Sequence, residues 1–127
     1  MKRIVSTKNA PAAIGPYSQA VIAGDYMFIS GQIPLNPETG KVDSKTIQDQ
    51  SKQVIKNLSA ICKENNCTLS DIVKLTIYLI DLENFSEVNS VMEDFFQKPY
   101  PARATIEVSK LPLDVQIEIE AIVYAKQ

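Results

Sequence analysis

The chain has 127 residues, 45% of them hydrophobic and 22% charged. That is one domain spanning 1–127, able to bury roughly two-thirds of its unfolded surface without cross-links. Thirteen basic against fifteen acidic residues leave a formal charge of −2 and a pI near 5.1, which disfavours a nucleic-acid module with its basic stripe. No histidine is present, so Ser-His-Asp and Cys-His nucleophilic centres and most zinc sites are excluded.

The opening MKRIVSTKN lacks the apolar segment of a secretory signal. All four glycines and four of the seven prolines fall before Lys41, and none occurs again until Pro99. Turns and short strands therefore open the chain, long elements fill its middle, and strands close it. Ala20–Ala23 and Tyr26–Ser30 flank Gly24-Asp25 and read as a hairpin. Asn36 to Gly40 reads as a surface turn. Thr46–Asn65 carries a helical stripe of Ile47, Val54, Ile55, Leu58, Ile61 and Cys62, with Thr46 and Asp49 spaced as a capping box. Cys62 and Cys67 are not a CxxC pair, and read as reduced, partly buried thiols of a cytoplasmic protein. Ile72–Ile80 reads as a strand. Asn84–Gln97 reads as a second helix with Phe85, Val88, Val91, Met92, Phe95 and Phe96 on one stripe, stopped by Pro99. Arg103–Val108 and Val115–Tyr124 read as alternating closing strands, and the flanking strands as hairpin-like. The longest apolar run, Ala121 to Ala125, is too short to span a membrane.

The order β-β-α-β-α-β-β describes an α+β fold: one mixed sheet with both helices on one face. The other face would carry Lys74, Thr76, Tyr78 and Ile80 from the middle strand. Such a half-apolar face is either solvated or covered by further copies of the chain.

Chemistry is left to carboxylates, arginine, tyrosine, hydroxyls and backbone amides. Arg103 is one of only two arginines. Its planar fork suits a small carboxylate, as a lysine would not, although a surface ion pair is the commoner role. Glu118 and Glu120 lie two apart on a strand, hence on one face and roughly 7 Å apart; they are either an acid–base pair or a solvated strand edge. Tyr17, in Ile14-Gly-Pro-Tyr-Ser18, is presented by a rigid turn, as pocket wall or as packing. Ser30-Gly31-Gln32 either offers backbone amides to an anion or is a plain turn.

Three long blocks stand in order: Asn9 to Gln19, Ser30 to Gly40, and Pro101 to Leu111 followed by Val115 to Ala121. Along its whole length the sequence resembles the RidA/YjgF family of reactive-intermediate (enamine/imine) deaminases. The resemblance implies a chorismate-mutase-like α+β fold assembled as a homotrimeric barrel, with pockets between subunits. It implies hydrolysis of 2-aminoacrylate, 2-iminopropanoate and 2-iminobutanoate to 2-keto acids and ammonia, with no metal and no cofactor. By the same match Arg103 grips the substrate carboxylate, Glu118 positions water, and Tyr17 walls the pocket. Ser30 and Gly31 line it, and Glu120 supports Glu118. Many relatives carry cysteine where this chain has Thr105, so thiol regulation there is lost while the Thr105 amide remains able to contact ligand. Small imino and keto acids are the expected partners, not nucleic acid or membrane.

Two other readings remain. A binding or sensing module would hold a keto acid in the same pocket without turnover. A ribonuclease, a role reported for some relatives, is opposed by the charge balance.

Overall fold

The computed structural model describes residues 1–126. Six strands and two helices follow in the order β1 (Arg3–Val5), β2 (Ala20–Ala23), β3 (Tyr26–Gln32), α1 (Ile47–Glu64), β4 (Ile72–Leu79), α2 (Phe85–Phe95), β5 (Ala102–Glu107) and β6 (Ile117–Tyr124). They form one mixed sheet in the order β1-β2-β3-β6-β4-β5. Every pairing is antiparallel except β4 with β5, which α2 connects as a crossover.

The α+β reading and both helices hold. In α1 the Thr46 hydroxyl accepts from the Asp49 amide at 3.1 Å, the forward half of the expected capping box. All six residues of its stripe are buried. They pack with Met27, Leu75, Ile77, Leu79, Ile117, Ile119 and Val123 of the sheet in one core. Burial of these side chains, at about 1.5–3 kcal/mol each, is the main force holding helices on sheet. Both cysteines are free and buried, and burial pushes the Cys62 thiol up to about 12.

Four points differ from expectation. Strand β1 was not anticipated; three residues are too few to show periodicity, and only the pairing Arg3–Ile22 to Val5–Ala20 defines it. The closing strands do not form a hairpin: β6 inserts between β3 and β4, and β5 touches β4 alone. Nor does β5 alternate. All its residues except Thr105 are exposed, because it is the sheet edge and α2 covers it only in part. In α2 itself Phe85 leaves the buried stripe and is 40% exposed.

Side-chain amides fasten the loops that flank the site. Buried Gln19 accepts from the Thr7 amide at 2.7 Å and donates to the carbonyls of Thr7 and Pro11. Asn57 donates to the carbonyls of Ile33 and Leu35, pinning the chain after β3 onto α1. The Asn36 turn forms, closed by the pairing of Asn36 with Lys41.

Candidate active site

The candidate residues divide between the two faces of the sheet. On β5, Arg103 lies opposite Leu75 and Thr105 opposite Ile77. Leu75 and Ile77 are buried under the helices, and opposed residues share a face. Arg103 and Thr105 therefore belong to the helix side. On β6, Glu118 lies opposite Tyr78 and Glu120 opposite Thr76, while Ile117, Ile119 and Ala121 between and beside them are buried in the core. Glu118 and Glu120 therefore share the open side, as their spacing predicted.

The helix-side half is built around Arg103. Its Nη1 donates to Asn89 Oδ1 and contacts Met92 Sδ at 3.6 Å. The guanidinium carbon stands 5.0 Å from the Phe85 ring centroid, a cation–π distance. Phe85, Asn89 and Met92 follow at three- and four-residue spacing on α2 and so present one face. Among the described residues no carboxylate pairs with Arg103. The ion-pair alternative thus has no partner among the described residues, which engage only the Nη1 end of the guanidinium by hydrogen bonds. Asn89, Met92, Glu93, Tyr100, Pro101 and Arg103 line a recess of about 440 Å³. The Thr105 hydroxyl is buried without a hydrogen-bond partner, two residues along the same face.

The open-side half is built around a bulge. Ile29 pairs with Ala121 and Gln32 with Ile119, so Ser30 and Gly31 together face Glu120. A bulge of this kind re-aims the strand beside it. It brings Gly31 against Glu118: a Cβ there would overlap the carboxylate, whose Cδ would be only 2.9 Å away. Glycine lets the carboxylate lie against the strand; any side chain here would push the Glu118 carboxylate aside. Glu118 is half-buried, and burial first, then the charge of Glu120, raises its pKa above the ordinary glutamate value. Ser30 is less available than its position implied. Its hydroxyl donates to the Ser18 carbonyl at 2.6 Å and its amide to the Gln19 carbonyl at 2.9 Å. These bonds hold the Tyr17 turn to β3. Tyr17 is 53% exposed and, with Ser18, Ser30, Lys74, Thr76 and Glu120, lines an open recess of about 750 Å³.

Of the expected residues, the structure sets Gly31 against Glu118, brings Tyr17 and Ser30 into one recess with Glu120 rather than Glu118, and places Arg103 and Thr105 on the opposite face. Sequence reasoning missed Asn89 and the contact of Met92 and Phe85 with Arg103, having read Met92 and Phe85 as core by their spacing. An asparagine inside an otherwise apolar helical stripe was the available signal. Among the described residues no group of three acidic, cysteine or histidine side chains could hold a metal ion, and no helix is long and apolar enough to cross a membrane.

A family model described as Endoribonuclease L-PSP matches residues 7–125. A RutC family protein of Pyrococcus horikoshii is 48% identical over 124 residues, covering 98% of both chains. A protein of Dermatophagoides farinae named 2-iminobutanoate/2-iminopropanoate deaminase is 43% identical over 122 residues, covering 96% of this chain and 95% of its own. The crystal structure of Escherichia coli TdcF with bound serine matches with a TM-score of 0.92 at 42% identity, covering 96% of this chain and 98% of that one. With the fold and near-complete coverage in agreement, the chain belongs to the RidA/YjgF family.

Proposed function

We propose that the protein hydrolyses 2-imino acids, and the enamines that tautomerise to them, to 2-keto acids and ammonia, in sites shared between neighbouring copies of a homotrimer. The observation that carries this reading is the Arg103 guanidinium. It is held in place by Asn89, Met92 and Phe85, yet pairs with no carboxylate among the described residues. A planar fork so held is ready for a small carboxylate.

In the reaction Arg103 grips the substrate carboxylate, which fixes the imine carbon beside it. Glu118 takes a proton from water as the oxygen bonds to that carbon. Glu118 returns that proton to the nitrogen, giving an amino alcohol, whose hydroxyl proton then passes by way of Glu118 to the nitrogen as it leaves as ammonia and the C–O bond becomes a carbonyl. Only water is consumed, so no cofactor is needed. A carboxyl with a raised pKa both accepts and returns a proton more readily near neutral pH, and such assistance is worth roughly 10²–10⁴ in rate. Tyr17 walls the open-side recess, Gly31 backs Glu118, and Thr105 lies two residues from the arginine on the same face.

Within one chain the sheet lies between Arg103 and Glu118, so a small substrate meets both only if the second comes from another copy. Exposed Phe28, Tyr26 and Tyr124 on the open face and the unpaired edge of β5 favour such assembly. The charge of −2 favours a small-acid substrate over RNA despite the family description.

The test is a coupled assay. A pyridoxal-phosphate dehydratase generates 2-iminobutanoate, and keto-acid appearance is followed with wild type and with Arg103→Ala. Acceleration by wild type alone, at least 10²-fold over the variant, is the expected result. The bound serine in the TdcF structure favours one second reading, a small amino- or keto-acid binding module. Tight keto-acid binding with no acceleration by wild type would select it.

A further inference from the structure

The recess of about 440 Å³ around Arg103 holds two opposite charges that do not meet. Its lining includes the Glu93 carboxylate as well as the guanidinium. Arg103 is fastened to Asn89. Glu93 follows Asn89 by four residues on α2, so it lies one helical turn, about 5.4 Å, further along the same face. Among the described residues lining the recess, Glu93 carries the only negative charge and Arg103 the only positive one. Between them stand buried Met92, half-exposed Tyr100 and Pro101, surfaces suited to carbon. Asp94, the next acidic residue of α2, does not line the recess.

We propose that Glu93 sets the charge selectivity for the substrate's side chain: the recess beside the clamp takes neutral or cationic side chains and disfavours those that end in a second carboxylate. This rests on the reading of Arg103 as the clamp for the substrate carboxylate. With that carboxylate on the guanidinium and the imine carbon turned to Glu118 of a neighbouring copy, the substituent is left to the recess. A neutral chain meets Met92, Tyr100 and Pro101. A dicarboxylate the length of 2-ketoglutarate carries its second anion about one helical turn from its first, which sets it against Glu93. No second cation lines the recess to offset that repulsion. Glu93 is exposed, so water and salt screen the contact and the selectivity is modest.

The experiment is a calorimetric titration of the folded protein at low ionic strength with 2-ketobutyrate and with 2-ketoglutarate, which carry one and two carboxylates. The chains are wild type, Glu93→Gln, Glu93→Lys, Asp94→Asn and Arg103→Ala. Glu93→Gln improves binding of 2-ketoglutarate relative to 2-ketobutyrate by about 5-fold, and Glu93→Lys by about 20-fold. Added salt shrinks both gains. Asp94→Asn makes the same change in net charge one residue away and leaves the ratio where it was. An unchanged ratio in Glu93→Gln, or an equal change in Asp94→Asn, would overturn the proposal while loss of binding in Arg103→Ala upheld the clamp. Undiminished binding of 2-ketobutyrate by Arg103→Ala would instead remove the clamp reading, and the selectivity with it. The titration needs no turnover, so it decides the matter whether or not wild type hydrolyses imines.

Discussion

The two faces of the sheet solve opposite electrostatic problems. On the helix side a cation is held by neutral groups, an amide, a thioether and an aromatic ring, and has no counter-ion among the described residues. On the open side two anions are set two residues apart, and one is pressed into a partly dry slot against a glycine. Each half alone is unfavourable: an arginine without its carboxylate, a carboxylate short of water. On the proposed function the difference teaches that the halves are complementary and meet only between copies. In that proposal an anionic substrate satisfies the first half, and the proton chemistry of its hydrolysis uses the second.

The largest expected effect comes from the open side. Gly31→Ala forces the Glu118 carboxylate to move. A displacement of about 1 Å costs roughly 10²-fold in rate, whereas overpacking costs about 1–3 kcal/mol of stability. Imine hydrolysis and urea unfolding of the same variant separate the two. An unchanged kcat would show that Glu118 does not need its seat on the bulge. A smaller effect is expected on the helix side. Asn89→Ala leaves the guanidinium charged but less well held, so KM rises about 10-fold with kcat nearly unchanged. A fall in kcat at constant KM would instead place Asn89 among the groups that act on the transition state.

The smallest effect is on stability. Glu118 has a raised pKa in the folded protein, so folding binds its proton more tightly than the unfolded chain does. That contribution is present at low pH and is lost as pH rises from the ordinary glutamate value through the raised folded value. Glu118→Gln removes the loss. The variant should match wild type near about pH 4 and exceed it slightly near about pH 7. Equal stability at both would mean that the carboxylate is not strained by its seat.

Much of this was legible in the residues. The helical stripe from Ile47 to Cys62 and the alternation of Val115 to Tyr124 each report burial on one side, and burial is what sequence patterns encode best. The placement of Glu118 and Glu120 on one face followed from period-2 geometry alone. What stayed hidden was non-local. Nothing in Arg103 to Val108 says that it pairs in parallel with β4 rather than with the strand that follows it. Consequently its residues could not be assigned to a face, and the separation of Arg103 from Glu118 was invisible. The bulge at Ser30-Gly31 was hidden for the same reason, since a bulge exists only relative to a partner strand. Phe85 kept its helical period but lost its burial, because α2 runs over the sheet edge.

The central claim, that Arg103 and Glu118 serve one substrate from different copies, is tested most directly by mixing two inactive chains. Arg103→Ala and Glu118→Ala are refolded together in equal amounts and assayed beside each alone. If each site draws its arginine from one chain and its glutamate from a neighbour, random assembly restores about a quarter of the wild-type activity. If both residues of a site belong to one chain, every site in the mixture lacks one of them and activity stays at the level of the separate variants, which would contradict the account.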